Sequence, residues 1–131
     1  MTMERIERYE INVTTDASGD ATGLSNKPVT GRVLQMRYIP DGSDPLDAGA
    51  DIVVSGQITG QPILTQANIG SNAFSKAPRQ PIHGSDDGAA SVYAAAGEPV
   101  EDFIYLAKEK IRLVVAQGTS AKTGKFIFWV G

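Results

Sequence analysis

Four aspartates fall within eleven residues in the segment Asp41-Gly42-Ser43-Asp44-Pro45-Leu46-Asp47-Ala48-Gly49-Ala50-Asp51. Calcium takes about six to eight oxygens converging on one point, and acids spaced along a glycine-bearing loop can supply them. The spacing does not follow the EF-hand pattern, and Pro45 interrupts it. The segment therefore reads as a solvated loop of Asx turns, and no metal is assigned. A second candidate is Gly118-Thr119-Ser120-Ala121-Lys122-Thr123-Gly124-Lys125. It holds one residue more between its glycines than the phosphate-loop motif, and Phe126 stands where that motif needs Ser or Thr. A phosphate loop should also lead into a helix N-terminus, whereas Phe126 to Val130 reads as strand. The spacing predicts a hairpin loop.

His83 is the single histidine of the chain. Ser85, Asp86 and Asp87 adjoin it, but a triad draws its members from separate segments, so His83 is expected to be a hydrogen-bonding or interface residue. Glu98, Glu101 and Asp102 have the residue types of a glycosidase acid pair, a role that depends on their separation in space; they read as charges where a strand begins. Trp129, Phe126, Phe128 and Tyr105 could form a sugar-binding platform. Alternation instead puts Phe126, Phe128 and Val130 on one face and Ile127 with Trp129 on the other. Both faces are then apolar, and the second is expected to be covered by a long loop or by another subunit. No catalytic residue, cofactor or enzyme activity is assigned.

The elements that carry these groups are strands. The 131 residues suit one domain and one core. Hydrophobic residues at 41% and charged residues at 21% are ordinary for a folded chain. With no cysteine, neither disulfides nor thiolate chemistry are available. A net charge of −3 argues against a direct nucleic-acid role, which needs a cationic footprint. No apolar run approaches membrane-spanning length. Residues 1–5 lack a signal core, so the chain is expected to stay where it is made. Tyr9, Ile11 and Val13 alternate as in a half-buried strand. Residues 16–23 read as a turn-rich polar segment. A strand follows from about Gly31 to Ile39, with Leu34, Met36 and Tyr38 on one face and Val33, Gln35 and Arg37 on the other. Further strands are expected at Asp51–Gly56, at Pro62–Ala67 with Pro62 marking an edge or a first residue, at Phe103–Leu106, at Ile111–Ala116 and at Lys125–Val130. Residues 68–98 form a long excursion, with a short helix over Asp86–Gly97 that Asp86 would cap and Pro99 would end. The expected fold is an all-β antiparallel sandwich of six to eight strands, comprising an N-terminal arm (1–8) and one domain (9–131).

The order of several segments resembles a family of small virion structural proteins of tailed bacteriophages. They are Tyr9-Glu10-Ile11-Asn12-Val13-Thr14-Thr15-Asp16-Ala17-Ser18-Gly19-Asp20-Ala21, Gly31-Arg32-Val33-Leu34-Gln35-Met36-Arg37-Tyr38, Asp44 to Asp51, Gly88 to Gly97, and Ile111 to Gly118 with Lys122-Thr123-Gly124. The resemblance implies a capsid decoration (cement) protein or a head–tail neck or collar component, located in the virion after assembly in the host cytoplasm. It implies self-association and docking on major capsid or neck proteins. Aromatic and arginine side chains dominate interface energies, so Arg5, Arg8, Phe74, Arg79, His83, Tyr93 and Trp129 are the expected contact residues. The competing expectation is a carbohydrate- or host-receptor-binding sandwich of a phage tail that uses Trp129 or Tyr105.

Overall fold

Tyr9, Ile11 and Val13 form the buried side of β1 (Glu7–Thr14) in the computed structural model, which describes residues 5–83 and 88–131. Glu7 and Arg8, expected in the arm, already belong to this strand. There follow β2 (Ala21–Leu24), β3 (Val29–Pro40), β4 (Asp51–Gly56), β5 (Pro62–Gln66), β6 (Phe74–Lys76), β7 (Arg79–Pro81), β8 (Glu101–Glu109), β9 (Ile111–Ala116) and β10 (Thr123–Val130). One antiparallel sheet runs β1-β10-β3-β8-β7, with β6 beside the far half of β3. The other runs β2-β9-β4-β5. A single core cluster joins them, with Met36, Tyr38, Phe126 and Phe128 from the first sheet and Ile52, Val54, Ile111 and Leu113 from the second. Each such side chain contributes about 1.5–3 kcal/mol on burial.

The ten strands among the described residues exceed the six to eight expected, because three were hidden. β2 lies inside the segment that reads as turns, and β6 and β7 are three-residue strands inside the excursion. β2 also closes one side of the two-sheet stack. A Cβ on Gly23 would come within 2.5 Å of Ile11 Cγ2, so only glycine lets β2 cross this close to β1.

The expected hairpin at 117–124 is a crossing between sheets. β9 pairs with β2 and β4, whereas β10 pairs with β1 and β3. Gln117, Thr119 and Ala121 take φ of 60°, 68° and 57°, a left-handed backbone that costs free energy in non-glycine residues. Buried Thr15 holds this loop: its hydroxyl donates to Thr119 O and accepts from Lys122 N at 2.8 Å. β8 likewise leaves its sheet at Lys110, and β9 begins in the other. The segment expected as a short helix is not helical over Gly88–Gly97; Asp86 and Asp87 lie outside the described residues. Its backbone bonds run to neighbouring chain segments: Ser91 N donates to Ile82 O at 2.7 Å and Val100 N to Ser91 O at 2.8 Å. Cross-chain pairing has replaced the local bonds a helix needs.

β3 is displaced from simple alternation. Its pairing with β10 shifts register at Trp129/Val130, so Val33, Met36 and Tyr38 point into the core while Leu34 is half-buried outside it. Val33 and Leu34 thus exchange the faces expected for them, as a β-bulge requires.

Candidate functional site

The outer face of the β1-β10-β3-β8-β7 sheet follows from its register. One cross-strand row reads Arg8, Trp129, Gln35, and the next Glu10, Ile127, Arg37, Ser75. Ile127 is reduced to 7% exposure within its own chain, and Phe128 is fully buried on the inner face. Ile127 is therefore covered without a neighbouring subunit, and the excursion reaches this face through β6, whose Ser75 accepts from Arg37 at 2.8 Å. Glu10 and Arg37 stand opposite Ile127 on either side, and side chains of that length can lie over an adjacent residue. Trp129 is half-buried.

Arg79 opens β7 and lies opposite Phe103 of β8. Its guanidinium sits 4.1 Å from the ring centroid and donates to Pro78 O at 2.7 Å and Leu34 O at 3.2 Å. Arg32 approaches the same ring at 5.2 Å, and Tyr105, opposite Arg32, is 55% exposed. Such cation–ring contacts are worth about 0.5–2 kcal/mol. Phe103 and Arg32 were not singled out from sequence. Their only signal is a partner strand that sequence does not reveal.

The other expected contact residues are dispersed. Phe74 packs its ring 5.6 Å from buried Tyr38 and so belongs to the core margin. Arg5 borders a cavity of about 400 Å³ with Glu7, Tyr9, Pro28, Thr30, Val130 and Gly131. Within it the Tyr9 hydroxyl donates to Glu7 Oε2 at 2.8 Å; burial first, then that carboxylate, raises the phenol above its ordinary value. His83 is exposed and bridges to Ala90. It borders a groove between the edge strands β5 and β7, where Gln61 and Gln80 join side chains at 3.3 Å.

Tyr93 tops a separate feature. Residues 88–100 fold back as an open flap, with Val92 bridging to Pro99 and a turn closed by Gly97 N on Ala94 O. Tyr93 is 76% exposed, Val92 43% and Ile82 40%. Ala89, Ala90, Ala94, Ala95 and Ala96 are exposed beside them. Val92 and Ile82 were not expected as contacts. The helical reading hid Val92, and Ile82 lay outside it, though two branched apolar residues within a polar, alanine-rich excursion were a usable signal.

The described carboxylates of the Asp41–Asp51 segment and of β8 are held by local and cross-chain hydrogen bonds. Asp41 Oδ2 accepts from Asp44 N at 2.8 Å and Ser43 N at 3.0 Å, which holds its carboxyl below the ordinary range. Asp47 accepts from Gly49 N, and Asp51 from Asn68 N. Asp41 and Asp47 thus form the Asx turns expected, whereas Asp51 begins β4 and takes an amide from a distant segment. Among the described residues, no three His, Cys, Asp or Glu side chains gather as metal ligands would. Glu101 and Asp102 are consecutive on β8 and so face opposite ways. Asp102 Oδ1 takes its own neighbour's amide, Phe103 N, at 2.7 Å.

Glu109 is the carboxylate that sequence missed. It is 4% exposed, and its Oε1 accepts from Ile58 N and Thr59 N at 3.0 Å while Oε2 accepts from Thr59 Oγ1 at 2.8 Å. The Thr59 amide above all, and then the other two bonds, hold it below the ordinary glutamate value against the opposing effect of burial. Gly56 makes room, since a Cβ there would lie 2.3 Å from Glu109 Oε1. Glu109 thereby ties the end of β8 in one sheet to the β4–β5 hairpin of the other.

These features define an all-β protein of two antiparallel sheets with an exposed apolar flap. No protein-family model matches the chain, and no curated protein matches it. Among solved structures, the crystal structure of FLHE is similar, with a TM-score of 0.43 and 14% identity over 95% of this chain and 96% of that one. A likeness of that depth carries no function across.

Proposed function

We propose that this protein is a non-enzymatic structural component of a tailed-phage virion, a β-sandwich that self-associates and docks on capsid or neck proteins. The observation that carries the reading is the flap. Val92 and Tyr93 on the flap, and Ile82 at its base, are exposed apolar residues outside the core cluster. Chains expose contiguous apolar surface of this kind where they meet a partner, and many modest contacts gain strength when copies repeat on a particle. The resemblance of the segment order to virion proteins supplies the kind of partner. The single core shared by two sheets supports the sandwich.

The test is co-sedimentation of the full chain with assembled phage heads, beside the double variant Val92→Ser/Tyr93→Ser. The parent is expected to pellet with heads. The variant should keep its melting temperature and lose most of the binding. A parent that stays monomeric at high concentration and ignores heads and necks overturns the proposal. Exposed Tyr105 beside Arg32 favours a second reading, a carbohydrate- or receptor-binding tail domain. A glycan array on which the parent binds and Tyr105→Ala does not would select it.

A further inference from the structure

We propose that the outer face of the β1-β10-β3-β8-β7 sheet is the docking surface for the aspartate-rich end of a second copy of this chain, a contact that rests on the reading of the protein as a self-associating particle component. The face gathers Arg8 beside Trp129, Arg37 in the next row, Arg79 stacked on Phe103, and exposed Tyr105. Among the described residues its acids are Glu10, which pairs with Lys125 at 3.2 Å, and Glu101 towards one edge. Arginine and aromatic side chains carry a disproportionate share of interface energy. A guanidinium also takes a carboxylate through two parallel N–H groups.

The complement is built into the same molecule. Loops 15–20, 41–50 and 117–122 meet at one end, joined by Gly118 N on Gly19 O and Thr123 N on Asp44 O, both at 2.8 Å, and Asp47 N on Gly118 O at 3.2 Å. Asp16, Asp20, Asp41, Asp44 and Asp47 lie in these loops, with Lys122 3.9 Å from Asp44. Asp16, Asp41 and Asp47 each accept amide hydrogens of their own turns, so their charges are held in place. A chain of net charge −3 thus presents one arginine-rich face and one strongly acidic end. Such surfaces steer copies together and repel like against like. A nucleic acid fits less well, because the acidic end and the overall charge oppose a polyanion. Where a copy offers its face to one neighbour and its end to another, the contact runs head to tail and the terminal copies keep one of each unsatisfied. A closing rotation gives a ring; any other gives a filament.

The test is sedimentation velocity of the full chain at roughly 0.05 M and 0.5 M salt. Association is expected at the lower concentration and should weaken at the higher. Face reversal (Arg8→Glu/Arg37→Glu) and end reversal (Asp44→Lys/Asp47→Lys) should each weaken self-association by about tenfold or more. Mixing the two variants should restore it, since a reversed face then meets a reversed end. The neutral variant Arg8→Gln/Arg37→Gln should fall between, and melting curves confirm that each variant folds. The inference is overturned if both reversals associate like the parent, if the folded mixture stays monomeric, or if the face binds a single-stranded oligothymidylate instead of a second copy. Association that survives both reversals but fails in Val92→Ser/Tyr93→Ser removes this contact and leaves the self-association reading standing. A parent that is monomeric throughout and blind to phage heads removes both.

Discussion

On the outer face of the larger sheet Ile127 is reduced to 7% exposure between Glu10 and Arg37, whereas on the smaller sheet Val53 stands 47% exposed between Val114 and Thr65. Both are β-branched residues on strands with neighbours on either side. The difference lies in those neighbours. Glu10 and Arg37 have long aliphatic stems that can lie over an adjacent side chain, and Val114 and Thr65 end at Cγ. The row Thr22, Val114, Val53, Thr65 consequently holds no charged and no long side chain. The opposite sheet flanks its buried outer isoleucine with charged residues and shows arginine to solvent. An apolar residue on an outer face is thus covered or open according to the reach of the side chains beside it, and a second subunit is not needed for every such residue.

Substituting aspartate at the two positions separates these environments most sharply. Ile127→Asp places a carboxylate where solvent is excluded and removes a packed side chain, and should cost about 3 kcal/mol or more. Val53→Asp changes a solvated position and should cost less than about 1 kcal/mol. Urea denaturation of both variants measures the gap. Equal costs would mean that Ile127 is open to water in solution and that the contrast between faces is absent.

Sequence pattern captured what depends on near neighbours along the chain. The alternation of β1, the limits of β4 and the edge position of β5 beginning at Pro62 all follow from it. What escaped was set by distant contacts. β9 and β10 look like a hairpin because a glycine-bounded polar loop joins two apolar runs, yet which sheet each strand enters is decided by β2 and β4 on one side and by β1 and β3 on the other. The bulge that brings Val33 inward depends on β10, some hundred positions away. Gly88–Gly97 had caps and alanines enough for a helix, but its amides are taken by Ile82 and its own returning strand. Of the candidate contacts, Tyr93 stands exposed, and Arg79 stacks on Phe103, a partner invisible without β7.

The two sheets also differ in how they are tied together, and Glu109 provides one of the ties. Glu109→Ala leaves the amides of Ile58 and Thr59 without their acceptor and should cost roughly 1–3 kcal/mol. Its folded carboxyl is held below the ordinary glutamate value, so the unfolded chain binds the proton more readily. The stabilisation is therefore complete above the unfolded value and is lost as pH falls through the lower folded value. Parent and variant should accordingly converge in stability in acid and differ fully at neutral pH. Denaturation curves across that range check it, and a gap that widens on acidification would contradict the assigned bonds.

The smallest effect tests why Ile127 is covered. Glu10 contributes both a charge, paired with Lys125 at 3.2 Å, and a stem beside Ile127. An ion pair this exposed is worth at most about 1 kcal/mol and weakens with salt. Glu10→Gln keeps the stem and removes the charge, so its cost should be a few tenths of a kcal/mol, roughly, and vanish at high salt. Glu10→Ala removes both and should cost somewhat more, by roughly 0.5–1 kcal/mol, with the excess surviving in salt because it comes from lost packing. If the two variants match at high salt, the stem does not shield Ile127, and the cover must come from Trp129 and Arg37 alone.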